Sequence, residues 1–148
     1  MTLFFPDLNV WLALSVEGHT HNTPAWRWLR SLPEDSRLIF SRYTQIGLLR
    51  LLTNSAMMSD RILTVHEAWK VYDGWLKDPR VEFQPEPRNV DAEFREALEP
   101  LAAKAASKWV GDCWLLAFVA GWGATLVTFD RALFDFAWKW KQPAVIPR

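Results

Sequence analysis

The chain has 148 residues, half of them apolar, and its 17 basic residues balance 17 acidic ones. That length supports one domain with a sizeable core, residues 1–148, and so apolar a composition excludes intrinsic disorder. Zero net charge excludes a protein that coats nucleic acid nonspecifically, while leaving room for a local basic rim.

In chain order, Leu3 to Pro6 is short, apolar and aromatic and reads as a buried strand, after which Asp7 leads into a helix. Thr23-Pro24 predicts a helix over Ala25 to Leu32. Arg37 to Phe40 reads as a second strand, and Ser41 caps a helix reaching Leu52. Thr64 and Glu67 form a capping-box pattern for a helix ending at Leu76, and Val81 to Phe83 is a third strand. Asp91 to Lys104 reads as mostly helical with an interruption at Pro100. Gly111 to Ala120 reads as a buried helix closed by Gly121. Ala124 to Thr128 is a fourth strand, and Ala144 to Ile146 an edge strand. Strands separated by helices imply a mostly parallel α/β sheet covered on both faces.

The lone cysteine, Cys113, excludes an internal disulfide and a cysteine-based zinc site, and its apolar neighbours mark it as a core residue. Pro6, Asp7 and Asn9 break the N-terminal apolar stretch, which has no basic start, so no signal peptide is expected. No apolar run approaches the length of a membrane span. A cytoplasmic protein without a membrane partner is expected.

Three aspartates adjoin the most apolar segments: Asp7 after the first strand, Asp112 at the head of a buried helix, and Asp130 after the fourth strand. A carboxylate in such a place is costly unless paired, hydrogen-bonded or bound to metal. In open parallel sheets ligands bind beyond the carboxyl ends of the strands, where Asp7 and Asp130 fall. Taken singly, Asp112 also reads as an N-cap and Asp130-Arg131 as a solvated turn. His19, His21 and His66 lack metal-ligand spacing.

Phe5-Pro6-Asp7-Leu8-Asn9-Val10-Trp11, Ser41-Arg42-Tyr43-Thr44-Gln45, Gly111-Asp112-Cys113-Trp114-Leu115-Leu116-Ala117 and Thr128-Phe129-Asp130-Arg131 follow one another in the order and spacing of a PIN domain. The chain resembles the VapC-like ribonuclease toxins of bacterial toxin–antitoxin pairs along nearly its whole length. The resemblance implies a PIN-like three-layer sandwich with a four- or five-stranded sheet. It implies an endoribonuclease that uses Mg²⁺ or Mn²⁺ and metal-activated water, restrained by a cognate antitoxin. It makes Asp7, Asp112 and Asp130 the catalytic metal ligands, with Asn9, Thr44, Gln45 and Thr128 lining the site. The family's further Glu, on the helix after Ser41, is missing; Gln45 or, in a shifted register, Gly47 stands there. Three acids in place of four argue against a tight two-metal site.

Arg42, Arg50, Lys108 and Arg131 are the basic residues expected to contact RNA phosphates. The antitoxin is expected in an apolar groove among the helices holding Trp26–Leu32, Ser41–Leu52 and Thr64–Leu76, and a homodimer through an apolar helical face. Most of the ten tryptophans are expected in the core, with Trp69 and Trp75 partly exposed. Two other readings stay open. One is a haloacid-dehalogenase-like phosphatase with Asp7 as nucleophile, although Asn9 stands where its second Asp belongs. The other is a non-catalytic PIN-like binding module.

Overall fold

A computed structural model describes residues 1–148. The chain begins with β1 (Leu3–Pro6), α1 (Leu8–Ser15), α2 (Asn22–Ser31), β2 (Arg37–Phe40) and α3 (Arg42–Leu52). It continues through α4 (Ser55–Met58), α5 (Val65–Leu76), β3 (Val81–Phe83) and α6 (Val90–Leu98). It ends with α7 (Ser107–Trp122), β4 (Thr125–Val127), α8 (Arg131–Lys139) and β5 (Ala144–Val145). The five strands form one sheet in the order β3-β2-β1-β4-β5, and every pairing is parallel. The first strand is therefore central, and each crossover carries helix.

Side chains alternate across the sheet and divide the core in two. Phe4, Leu38, Phe40 and Val127 point to a layer built from α1, α2, α3 and α5. Phe5, Ile39 and Leu126 point to the opposite layer, where α7 and α8 supply Leu115, Leu116, Phe118, Val119, Leu133 and Ala137. The α6 helix packs outside α7 and buries Ala97, whose carbonyl lies 3.5 Å from the Cys113 sulfur. Burial of strands on both faces explains why they read as continuous apolar runs. No helix is long and apolar enough to cross a membrane.

Local chemistry sets most boundaries. Ser41 with Thr44, and Thr64 with Glu67, make reciprocal capping boxes at the starts of α3 and α5. Several boundaries differ from expectation. The second helix begins at Asn22, with no side-chain cap, and takes Pro24 into its first turn, where a missing N–H does no harm. The sixth ends at Leu98, and Glu99–Leu101 tightens into a 3₁₀ turn, because Pro100 has no N–H to continue an α-helix. The seventh starts at Ser107 rather than Gly111 and runs through Gly121 to a left-handed Gly123 (φ 62°). The short α4 and the amphipathic α8 were not expected.

The tryptophans are mainly packing residues. Trp11 is fully buried and stacks on Phe40 with ring centroids 3.9 Å apart. Trp28 meets Phe4 edge-on, and the Trp75 indole donates to the Ser15 hydroxyl at 2.8 Å. Trp69 and Trp138 are the exposed ones.

Leu116 is wholly buried in the second core layer. Leu116→Ala is expected to destabilise the fold by about 2–5 kcal/mol. Urea unfolding should show a lower midpoint with an unchanged slope.

Candidate active site

The site grows from the carboxyl end of the central strand. Asp7 directly follows β1, and its backbone N–H donates to Val127 O at 2.8 Å, extending the β1–β4 ladder by one residue. Its side chain caps α1, with Oδ1 accepting the Leu8 N–H at 2.7 Å. Its Oδ2 accepts the Thr128 hydroxyl at 3.0 Å and the Asn9 amide at 3.3 Å. The Asn9 amide nitrogen also lies 3.2 Å from Thr128 Oγ1, and Asn9 Oδ1 accepts the Phe129 N–H at 3.2 Å. Thr128 Oγ1 in turn accepts the Asp130 N–H at 3.0 Å. A short polar lattice thus ties the β1–α1 junction to the β4–α8 junction, 121 residues away in sequence.

Asp130 caps α8 by accepting the Leu133 N–H at 3.1 Å. Asp112 comes from the opposite direction. It is the sixth residue of α7, well inside the helix, so it is not an N-cap. Its carboxyl is pushed up to about 6 by burial and by the negative charges of Asp7 and Asp130. Burial raises the Asp7 carboxyl as well; the Leu8 and Thr128 hydrogen bonds counter this, and Asp130 adds to it. The three aspartates therefore share one electrostatic neighbourhood. None belongs to any of the four ion pairs of the chain.

This donor set fits a hard divalent cation held with water. No three His, Cys, Asp or Glu side chains lie close enough together to enclose an ion directly. Mg²⁺ ordinarily takes only one or two protein carboxylates and keeps several waters, and a like-charged trio without a basic partner is what such an ion relieves.

The other expected lining residues lie in different settings. The Thr44 hydroxyl is fully buried and engaged with Ser41 in the α3 cap. The Gln45 Oε1 accepts the Arg42 guanidinium at 2.6 Å, and its amide lies against the Tyr72 hydroxyl. Gly47 backs onto Leu8: a Cβ there would stand 2.6 Å from a Leu8 methyl. Arg42, Arg50, Lys108 and Arg131 are all exposed. Arg42 lies 4.7 Å above the Phe83 ring, while Arg131 makes only a long 3.8 Å pair with Asp135. Sequence reasoning missed Tyr43, whose hydroxyl would lie 3.0 Å from a Cβ at Gly111, beside Asp112. Its position one turn from the end of β2 was the available signal.

A family model described as PIN domain matches residues 4–139. The chain is 36% identical over 134 residues to Ribonuclease VapC41 of Mycobacterium tuberculosis, covering 88% of this chain and 90% of that protein. Among solved structures, VapBC2 from Rickettsia felis, bound to promoter DNA, superposes with a TM-score of 0.69 at 13% identity, covering 99% of this chain and 100% of that one. VapC20 of Mycobacterium tuberculosis, described as a sarcin–ricin loop cleaving toxin, gives 0.65 at 18% identity over 92% of this chain and 94% of that one. VapBC-1 from nontypeable Haemophilus influenzae gives 0.66 at 15% identity and 98% of both chains.

The raised carboxyls make metal-free stability fall with pH. Below the ordinary value of 3.8 the Asp112 carboxyl is protonated in both folded and unfolded chains; between 3.8 and about 6 the folded chain holds more protons, so stability declines as pH rises. In EDTA, Asp112→Asn should therefore have a higher urea midpoint than the parent at pH 7, with the gap closing toward pH 4. Equal midpoints at pH 7 would show that the carboxylates do not confront one another.

Proposed function

Because the chain belongs to the PIN-domain family, we propose that it is a Mg²⁺- or Mn²⁺-dependent endoribonuclease and the toxin of a toxin–antitoxin pair. The observation that carries this reading is the shared field of Asp7, Asp112 and Asp130, with no basic side chain to neutralise it. Kinship with a curated ribonuclease across most of both chains supports it. The phosphatase alternative falls with the family assignment. A purely structural role leaves the unrelieved carboxylates unexplained.

A bound divalent cation would neutralise the scissile phosphate and lower the pKa of the attacking water. The residues of the chain supply the rest. Asp7 and Asp112 would hold the cation directly, and Asp130 directly or through water. Asn9 and Thr128 orient Asp7, and the Thr128 hydrogen bond to Oδ2 partly offsets the rise that burial imposes on its carboxyl. Two of the three acids, Asp7 and Asp130, cap helix N-termini and accept backbone N–H groups there. Arg42, Arg50, Lys108 and Arg131 contribute the phosphate contacts that a neutral chain must concentrate near its site. In-line attack leaves a 5′-phosphate and a 3′-hydroxyl.

The antitoxin covers apolar surface next to the site. Val65, Trp69 and Leu76 lie exposed along α5, with Met57 and Ile62 just before it. Beside them a cavity of about 380 Å³ between the end of α1 and α4 is lined by Leu12, Val16, Met57, Met58 and Arg61. An amphipathic segment with an acidic residue opposite Arg61 suits this surface. A homodimer in the cytoplasm completes the proposed biology. Co-expression with the neighbouring gene product should yield a complex on gel filtration and relieve growth arrest.

Asp112→Asn is expected to abolish RNA cleavage and weaken Mn²⁺ binding. Thr128→Val and Asn9→Ala, which act on Asp7, should each lower metal affinity or kcat/KM by roughly 10–100-fold. Titration calorimetry with Mn²⁺ and cleavage of structured RNA measure the two effects. Parent-level cleavage in all three variants, or cleavage that survives EDTA, would overturn the assignment.

A further inference from the structure

Beside Asp112 the surface opens into a groove of about 580 Å³ that the carboxylate chemistry does not use. It lies between the first turn of α3, the segment after β3 and the early turns of α7. Its walls are planar and apolar. The Tyr43 and Trp114 rings pack against each other with centroids 5.2 Å apart and a 33° tilt, and Phe118 packs on Trp114 at 5.3 Å, so a base would stack on their outer faces. The rim is polar. The Trp114 indole N–H donates to Glu86 Oε1 at 3.0 Å, which holds both groups in place and leaves Glu86 Oε2 without a partner in the protein. Across the groove, Gln45 tethers Arg42 over the Phe83 ring. Gly111 links the groove to the site, since a side chain there would press on Tyr43.

We propose that this groove binds one unstacked guanine of the RNA substrate, next to the scissile phosphate. The proposal rests on the nuclease reading for its substrate. Bases splayed out of single strands are held by stacking on aromatic side chains and read along their Watson–Crick edges. Guanine alone presents two adjacent donors there, N1–H and the N2 amino group, and a fixed carboxylate accepts both. Adenine and cytosine would set a ring-nitrogen acceptor against Glu86, and uracil a carbonyl on each side of its single N–H. Arg42, above Phe83, is placed for the neighbouring phosphate. The unpartnered Glu86 Oε2 and the tethered Arg42 favour an occupant that offers a paired donor edge beside a phosphate over a second protein chain.

The test uses fluorescein-labelled five-nucleotide RNAs, uridine throughout except for a central G, A or C, titrated into the full chain in EDTA and followed by anisotropy. The G oligomer should bind about tenfold tighter than the A oligomer, as one bidentate contact provides. Glu86→Gln should erase or invert that preference, because the amide keeps the Trp114 contact while turning a donor away from guanine's N–H edge and toward the adenine ring nitrogen. Trp114→Leu, checked for an unchanged circular dichroism spectrum, should weaken all three oligomers roughly tenfold without altering the salt slope. Equal affinities for G and A would overturn the proposal, as would a preference that survives Glu86→Gln. So would protection of residues 43–46 and 110–114 from hydrogen exchange in RNA-free protein that falls on dilution, which would assign the groove to a second copy of the chain. Cleavage of long RNA without any base preference would sink the groove and spare the nuclease. Guanine-selective binding with no Mg²⁺- or Mn²⁺-dependent cleavage would do the reverse.

Discussion

The molecule depends on a carboxylate placed where burial penalises it. Asp7 ends the central strand, is 9% exposed, and faces two other acids with no cation among the side chains around it. A group in that position is stable only if the backbone around it is fixed. The chain fixes it with the start of α1, one threonine hydroxyl and one asparagine amide. The same bonds that reduce the penalty also lock the two crossover junctions together. The two junctions therefore brace each other around Asp7, and the penalty they carry is electrostatic rather than conformational.

The asymmetry between the acids follows from their supports. Asp7 and Asp130 follow strands and cap helices, so backbone N–H groups meet part of their hydrogen-bonding demand. Asp112 projects from the side of α7, has no such donor, and its carboxyl is pushed up to about 6. With its carboxyl near 6, Asp112 keeps a minor protonated fraction at neutral pH, and a divalent ion bound beside it would release that proton.

Much of this architecture was legible in the sequence because local signals coincide with tertiary ones. The strand limits at Leu3–Pro6, Arg37–Phe40 and Val81–Phe83 follow from apolar runs bounded by polar residues, and the starts of α3 and α5 from capping boxes. The failures have physical causes. The α7 start was misplaced because Lys108, Trp109 and Val110 precede a glycine, and Gly111 looks like a boundary when it is an opening for Tyr43. The α8 helix escaped notice because its aromatic residues crowd the pattern, although Asp130, Leu133 and Ala137 carry the cap and the i, i+4 buried face. That Asn9 and Thr128 would both meet Asp7 was suggested only by type. Asn9 reaches Asp7 from two residues away, but the Thr128 contacts to Asp7 and Asn9 join residues more than a hundred positions apart, and no local rule encodes that.

The absent fourth acid has a structural correlate at the second of the two positions considered for it. Gly47 lies against Leu8, the residue that follows Asp7, and a Cβ there would stand 2.6 Å from a Leu8 methyl. Leu8 thus occupies the volume through which a longer side chain from α3 would have to pass. At the first position, Gln45 is held by Arg42 and turned to Tyr72. The α3 helix therefore contributes no negative charge to the site. It contributes Tyr43 and a tethered Arg42 along its first turn instead. Removing one carboxylate lessens the mutual repulsion that the polar lattice around Asp7 must hold in check. It also leaves α3 itself, whose first turn lies beside Gly111 and Asp112, without an acidic side chain.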